Sequence, residues 1–267
     1  MVKLRKCRLD DIKNIRHLQP PDWSDITFYF KFYCTHDFCY PFVAVCDNKI
    51  LGVANATLNG ITGWLAHIIV AEEYRRGGIG YLLTEHLIEF LHHKGCRSQL
   101  LIATEMGEEM YRKFGFKPVS CYLFFENGIL KQNSLDVHIR RYRESDLNTI
   151  LYLDQQASGE NRKNMIKQFL ENAFVYHSKL EIQGFFLQDF GEGMIVASDN
   201  IAGIALLKFK HSIKKCKTVL PVESKSAIDF LSSNGFKTGI KVLRMVLGEN
   251  IQWKPELIFS RSGGFYG

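Results

Sequence analysis

The hydrophobic period of the chain changes in a repeating order, and each change predicts an element. Residues 3–8 read as a short strand. Ile12, Ile15 and Leu18 then recur at helical spacing behind Asp10, a suitable N-cap. Residues 24–39 are dense in aromatics, with Phe28 and Phe32 among them, and read as a second helix whose rings serve a core. "PFVAVCDNKILGVANATL" predicts two strands around an Asp47-Asn48 turn. Residues 64–70 are apolar almost throughout, as a central strand is. A glycine-rich loop follows, and Ile79, Leu82, Leu83, Leu87, Phe90 and Leu91 then mark a long amphipathic helix. That helix is expected to stop at Gly95, where a left-handed cap is easy. His92, His93 and Lys94 suit its negative end better than they suit a metal. "RSQLLIAT", "GEEMYRKFGF" and "KPVSCYLFF" predict strand, short helix and strand.

Residues 127–134 are polar and rich in turn formers, and the pattern after them repeats the opening. "RLDDIKNI" at 8–15 is echoed by "RESDLNTI" at 143–150, and "FGFK" at 114–117 by "NGFK" at 234–237. A diverged internal duplication is expected, with units at 1–127 and 135–267.

Composition narrows the picture. The chain has 267 residues and is 46% hydrophobic, enough for a substantial core or two smaller ones. A net charge of +6 comes from scattered basic residues and fits a solvated surface or an anionic ligand, so no nucleic-acid partner is expected. Seven cysteines show no CxxC pair and no zinc spacing, so no metal is expected. Residues 1–10 are charged rather than leader-like, and no apolar run reaches the roughly 18 residues of a membrane span. A reduced, cytoplasmic protein with no membrane partner is the expectation.

The chemistry is concentrated in "EEYRRGGIG" at 72–80. Glycines at 77, 78 and 80 let backbone N–H groups converge, and the helix behind them adds free N–H groups and a positive dipole end. The combination is an anion site, most naturally for phosphate, with Arg75 and Arg76 adding charge. No Lys-Ser or Lys-Thr follows, which excludes a Walker loop, and position 83 is leucine, which excludes the dinucleotide fingerprint. A bare strand-to-helix turn is the alternative, but it does not explain the two arginines beside three glycines.

"VAEEYRRGGIG" resembles the acyl-CoA pyrophosphate loop of the GCN5-related N-acetyltransferase (GNAT) family, with Arg75, Gly78 and Gly80 on its defined positions. Tyr111, four residues before Gly115 in "EEMYRKFGF", resembles the tyrosine of that family's Tyr-x-x-x-Gly-Phe helix. The resemblance covers about residues 2–126. It implies an α/β fold with a mixed α+β sheet, here as two tandem GNAT folds. The second unit would be a worn copy. Its loop, "SDNIAG" at 198–203, lacks the arginine and the paired glycines, and Leu231 stands where the first unit has Tyr111. That copy is expected to be structural or to wall the acceptor site.

The resemblance implies direct transfer of an acetyl group from acetyl-CoA to a primary amine, without a metal. Arg75, Arg76, Gly77, Gly78, Ile79 and Gly80 would hold the pyrophosphate. Backbone N–H groups around Ile68, Ile69 and Val70 would stabilise the oxyanion. Tyr111 would protonate the departing thiolate. Thr104, seven residues before the tyrosine, replaces the asparagine of many relatives and would do part of its work. His67 is the candidate base on the fourth strand, since imidazole titrates near neutrality. The acceptor is open between a small-molecule amine and a protein amine, and the assembly between monomer and homodimer. A sensor that binds acyl-CoA without turnover, and a transferase of longer acyl groups, stay open beside the acetyltransferase. The terminal "IFSRSGGFYG", with Arg261, Phe265 and Tyr266, is expected to dock in the interdomain cleft and shape the acceptor pocket.

Overall fold

The protein is described by a computed structural model covering residues 1–21, 23–128, 130, 136–178, 181–213 and 216–264. The first half comprises β1 (Lys3–Lys6), α1 (Ile26–Thr35), β2 (Cys39–Cys46), β3 (Lys49–Asn59), β4 (Thr62–Val70), α2 (Ile79–His93), β5 (Ser98–Ala103), α3 (Glu105–Lys113) and β6 (Lys117–Glu126). The second comprises β7 (Ile139–Arg141), α4 (Leu147–Ser158), α5 (Lys163–Ile166), β8 (Ala173–Ser178), β9 (Glu181–Leu187), β10 (Met194–Ala197), α6 (Asn200–Ile213), β11 (Thr218–Pro221), α7 (Lys225–Ser233), β12 (Lys237–Gly248) and β13 (Ile258–Ser260).

Most predicted elements form where their period places them. The hairpin turn at Asp47-Asn48 has φ of 47° and 63°, and α2 ends before Gly95 at φ +82°. One expectation needs correction. The segment carrying Ile12, Ile15 and Leu18 folds as two short 3-10 turns, Leu9–Asn14 and Arg16–Leu18, rather than as an α-helix. The Asp11 carboxylate, held by Arg5 and by the Arg8 N–H, pins the first turn, and the bonds from Asp11 N–H to Arg8 O, Ile15 N–H to Ile12 O and Leu18 N–H to Ile15 O all span three residues. The helix predicted within residues 24–39 is confined to Ile26–Thr35, capped by the Asp25 carboxylate, which accepts from Thr27 N–H at 2.8 Å.

The internal echo has a physical counterpart. Arg5 forks onto Asp11 with bonds of 2.7 and 2.9 Å, while Asp11 also accepts from the Arg8 N–H. Arg140, Asp146 and Arg143 repeat the same constellation at 2.7, 2.9 and 2.7 Å. Bidentate guanidinium–carboxylate pairing fixes both turns in the same geometry. The second echo is also structural, because Phe116 N–H bonds to Tyr111 O, and Phe236 N–H to Leu231 O, at 3.1 Å each.

The strands that follow the two "GFK" echoes change places. One sheet runs β1-β2-β3-β4-β5-β12-β6-β11, and the other runs β13-β10-β9-β8-β7. β12, late in the chain, pairs antiparallel with β5 from Leu243↔Ala103 to Gly248↔Ser98. β6, from the first half, pairs with β11. Strands of both halves therefore meet in the eight-stranded sheet, whereas the five-stranded sheet draws on the second half alone. A buried polar knot sits at this junction. Glu160 accepts from Thr62 Oγ1 and Trp64 Nε1, both at 2.8 Å. The Arg244 guanidinium lies over the rings of Trp64 and Trp253 and donates to the Tyr122 hydroxyl at 3.2 Å.

Candidate acyl-donor site

β4 and β5 are parallel neighbours only from Thr62↔Ser98 to Trp64↔Leu100. Beyond Trp64 they diverge, and the edge of β4 that would face β5 has no strand partner among the described residues. β4 also carries one extra residue against β3, since Val53 faces Ile69 while Asn55 faces Ala66. This bulge holds His67 at φ +48°, a left-handed conformation that costs a non-glycine residue free energy. Ile68, Ile69 and Val70 complete the strand beyond it, with Ile69 buried and the other two half-buried. An opened strand edge with a bulge presents backbone N–H groups to whatever enters the split.

The glycine loop closes one end of that split. Gly78 is the N-cap of α2 at φ +84°, with no side-chain cap, and the first turn of α2 carries no acidic residue. The first bond of the ladder is Leu82 N–H to Gly78 O at 2.9 Å, so the N–H groups of Ile79, Gly80 and Tyr81 precede it. Arg75, Arg76, Gly77 and Gly78 are exposed, and a Cβ added at Gly78 would meet nothing within 4 Å. The concavity is thus open, electropositive and lined by free donors, which fits a diphosphate. Arg75 also braces the loop, donating from Nε to the Val70 carbonyl at 3.2 Å.

α3 borders the same region. A Cβ at Gly80 would lie 3.7 Å from Val70 and 3.9 Å from Met110, and the rings of Tyr81 and Phe114 stand 4.4 Å apart. Tyr111 is buried beneath this contact, in a core cluster it shares with Met245 of the exchanged strand. Gly107 leaves room for its ring, since a Cβ there would approach within 2.8 Å. Burial pushes the Tyr111 phenol up to about 12, so it stays protonated through the physiological range. Its hydroxyl has no hydrogen-bond partner among the described residues. Thr104 is exposed at the N-cap of α3, and its hydroxyl is not used for the cap.

His67 is enclosed rather than poised in solvent. Its Nδ1 shares a 2.8 Å hydrogen bond with the Tyr33 hydroxyl, and the rings of Trp23, Tyr29 and Phe30 surround it at 4.9–6.1 Å. Burial depresses its pKa to about 3. The imidazole is therefore neutral near pH 7 and has little affinity for the proton of an alkylammonium, which argues against the general base expected of it.

Residues 9–116 match the model of the acetyltransferase (GNAT) family. That stretch, 108 of the 267 residues, is similar to the family. The relative YyaT of Bacillus subtilis, itself uncharacterized, is 29% identical over 91 residues, which are 34% of this chain and 61% of YyaT. A candidate acetyltransferase from Pyrococcus horikoshii superposes at a TM-score of 0.84, with 18% identity, over 100% of this chain and 96% of its own. A GCN5-related N-acetyltransferase from Kribbella flavida gives 0.60 at 17% identity, over 93% of this chain and 72% of its own. At these identities the structural likeness is one of fold, and it spans both sheets. The mixed α/β fold of these structures is thus present here, over two sheets.

The second half carries the same layout with different contents. Around the worn loop, Asp199 stands at the N-terminus of α6 and its own carboxylate accepts from Ala202 N–H at 2.9 Å. Ser-Asp before an apolar helical run is an N-cap signature, so this role was available from residues 198–203. Leu231 is fully buried, as its alignment with Tyr111 leads one to expect. β13 spans the gap between β10 and β11, pairing with β10 at Ile195↔Ser260 and Val196↔Ile258, while Arg261 N–H bonds to Val219 O of β11 at 2.9 Å. No sequence signal announced that placement. Tail residues Phe265 and Tyr266 lie outside the described residues. Arg261 is buried over the ring of Tyr122, 4.8 Å from its centroid, and Gly264 lies beside Ile102 of β5.

No helix among the described residues is long and apolar enough to cross a membrane.

Proposed function

We propose that the protein is an N-acetyltransferase that moves the acetyl group of acetyl-CoA to a primary amine. The observation that carries this reading is the meeting of the open β4–β5 split with the uncapped N-terminus of α2. In it, Arg75, Arg76, Gly77, Gly78, Ile79 and Gly80 hold the diphosphate, and the bare edge of β4 holds the pantetheine arm. Thr104 lies at the far side of the split. Backbone N–H groups at Ile68, Ile69 and Val70 stabilise negative charge that develops on the acyl oxygen. The amine nitrogen forms the new C–N bond as the C–S bond breaks, and sulfur leaves with the electron pair. Tyr111 donates its proton to that sulfur and regains one from solvent. One proton leaves the ammonium through water before attack and a second leaves the nitrogen through water as the amide forms, and His67 acts as a positioning residue that fixes the bulge against Tyr33.

Residues 1–127 form the catalytic unit and 135–267 wall the acceptor site, with the exchange of β6 and β12 tying them together. The chain works in a reducing cytoplasm as monomer or homodimer; seven cysteines with no CxxC pair favour that setting.

A second reading has one observation in its favour. With His67 neutral and enclosed, the bulge has no evident base, as suits an acyl-CoA sensor. Thermal unfolding with and without acetyl-CoA tests the donor site, and amine-dependent release of free CoA thiol tests transfer. Stabilisation without any thiol release across an amine panel would support the sensor.

A further inference from the structure

The buried charges at the junction of the two halves do not balance. Asp154 pairs with Arg162, and Glu160 has Arg244 at 3.8 Å. Two further buried cations, Lys210 and Arg261, have no carboxylate within 4 Å among the described residues. Lys210 is provided for. Its Nζ donates to Ser260 Oγ at 2.8 Å, and burial brings its pKa down to about 8, so it can shed its charge. Arg261 is not provided for. Its guanidinium lies 4.8 Å from the centroid of Tyr122 and 5.4 Å from that of Phe124, and its Nε and Nη1 are buried without a hydrogen-bond acceptor. Ring faces offset part of the cost of burying a cation but give its N–H groups no acceptor. Burial lowers its pKa, but from so high a start that the charge persists at pH 7. Glu192, whose charge reaches it, is itself paired with Lys217 at 3.4 Å.

This cation borders the donor split. Ile102 of β5 stands two residues beyond Leu100, where pairing with β4 ends. A Cβ built at Gly264 would lie 3.7 Å from Ile102 Cβ and 3.8 Å from both Nη1 and Nη2 of Arg261. These are ordinary contacts, so the space between Arg261 and Ile102 takes at least a methyl group without strain. Gly264 and Ile102 are both half-buried, so that space is not sealed from solvent. Ile102 clusters with Tyr122 and Val242 on one face of the sheet, while Leu101, Ala103 and Tyr111 pack with α2 on the other. The proposed thiolate acid and the unpaired cation thus stand on opposite faces, which leaves the Arg261 face for the amine.

We infer that Arg261 receives a carboxylate of the acceptor, and that the acceptor is an α-amino acid. A planar carboxylate answers two N–H groups at once and balances the surplus charge. Both Gly264 contacts are made from a single atom position, so a short link between amine and carboxylate spans the distance to Ile102. The role of the amine rests on the proposed acetyl transfer; the carboxylate seat does not. The second half thereby sets the acceptor's chemistry, although its own donor site is lost.

The test uses the full chain and the twenty common α-amino acids, each beside its α-amide, with inorganic phosphate as a bare anion. Binding is read by calorimetry without acetyl-CoA, and transfer by release of CoA thiol. At least one amino acid should bind about tenfold or more tightly than its amide, which forfeits the charge-assisted pair. Arg261→Met keeps much of the volume without the charge. It should abolish that preference, raise KM for the amino acid about tenfold with less effect on kcat, and leave the unliganded chain at least as stable as wild type. A purely structural arginine would show lost stability with selectivity intact. Gly264→Val, at a position outside the positive-φ glycines, should fill the space and weaken binding with the charge left in place. Equal affinity for acid and amide, binding of no amino acid, a preference for phosphate, or unaltered selectivity in Arg261→Met overturns the assignment. Amino-acid binding in a wild type that acetyl-CoA does not stabilise would instead sink the acetyltransferase reading and leave the carboxylate seat standing.

Discussion

The two halves began alike and now treat the same two openings in opposite ways. In the first, the helix after the fourth strand starts at an uncapped glycine, and the strands beside it part and stay apart. In the second, the matching helix is capped by the Asp199 carboxylate, and β13 fills the gap between the parted strands. An internal carboxylate at a helix N-terminus satisfies the donors and dipole that would otherwise hold phosphate. The Phe259 ring packs on Gly203, where a Cβ would clash, and Lys210 donates to Ser260 Oγ at 2.8 Å. The same layout therefore leaves an open notch with free donors in one half, and a packed core in the other where the chain supplies its own acceptors and apolar groups.

The contrast is sharpest at the pair Tyr111 and Leu231. Tyr111→Phe should lower the amine-dependent rate by about 10²–10⁴-fold while leaving the acetyl-CoA thermal shift intact; an unchanged rate would remove the phenol from the reaction. The filled gap is tested by Phe259→Ala. It should destabilise the chain by about 3–5 kcal/mol in denaturant unfolding, since the ring is fully buried. A loss under 1 kcal/mol would mean that β13 is a loosely held tail. Gly78→Asp imports into the first half the charge that silences the second. Acetyl-CoA at about one hundred times its dissociation constant should stabilise wild type by roughly 2.7 kcal/mol and this variant hardly at all. Equal shifts would show that the donor binds elsewhere.

His67 sharpens the comparison through pH. Its folded pKa, about 3, lies below the unfolded value near 6.5. Between those values the unfolded chain binds a proton that the folded chain does not, so stability falls as pH drops through this window. The slope is about 1.4 kcal/mol per pH unit for one proton. The enclosed His211, depressed to about 4 by burial, adds to it. The difference between wild type and His67→Gln isolates the bulge, and parallel profiles would show that His67 is not enclosed. The smallest effect belongs to Asp199→Ala, which should cost about 1 kcal/mol as a lost cap. Acetyl-CoA stoichiometry should stay at one per chain, because β13 still fills the second gap; a second equivalent would show that the cap alone kept it closed.

Local signals carried much of this. The loop at 72–80 was legible because glycine spacing and a following apolar period are properties of adjacent residues. The duplication was legible because both copies retain the Arg/Asp turn and the "GFK" turn. The 3-10 turns after β1 were read as one helix, because spacing alone does not show that Arg5 and the Arg8 N–H pin Asp11 in a tight turn. His67 was read as a titrating base because an unperturbed imidazole is one. Its enclosure depends on Trp23, Tyr29, Phe30 and Tyr33, which lie more than thirty positions away.

By itself, then, the sequence determined most of the order of elements, the two echoed turns, the glycine turn before α2 and the tyrosine four residues before Gly115. Each is set by backbone freedom or by periodicity within one segment. Tertiary structure alone decided that β6 and β12 change places, that β13 fills the second split, that Arg261 is buried over Tyr122, and that His67 is held neutral. Those outcomes depend on which distant groups share a low-dielectric space, and no local pattern encodes that.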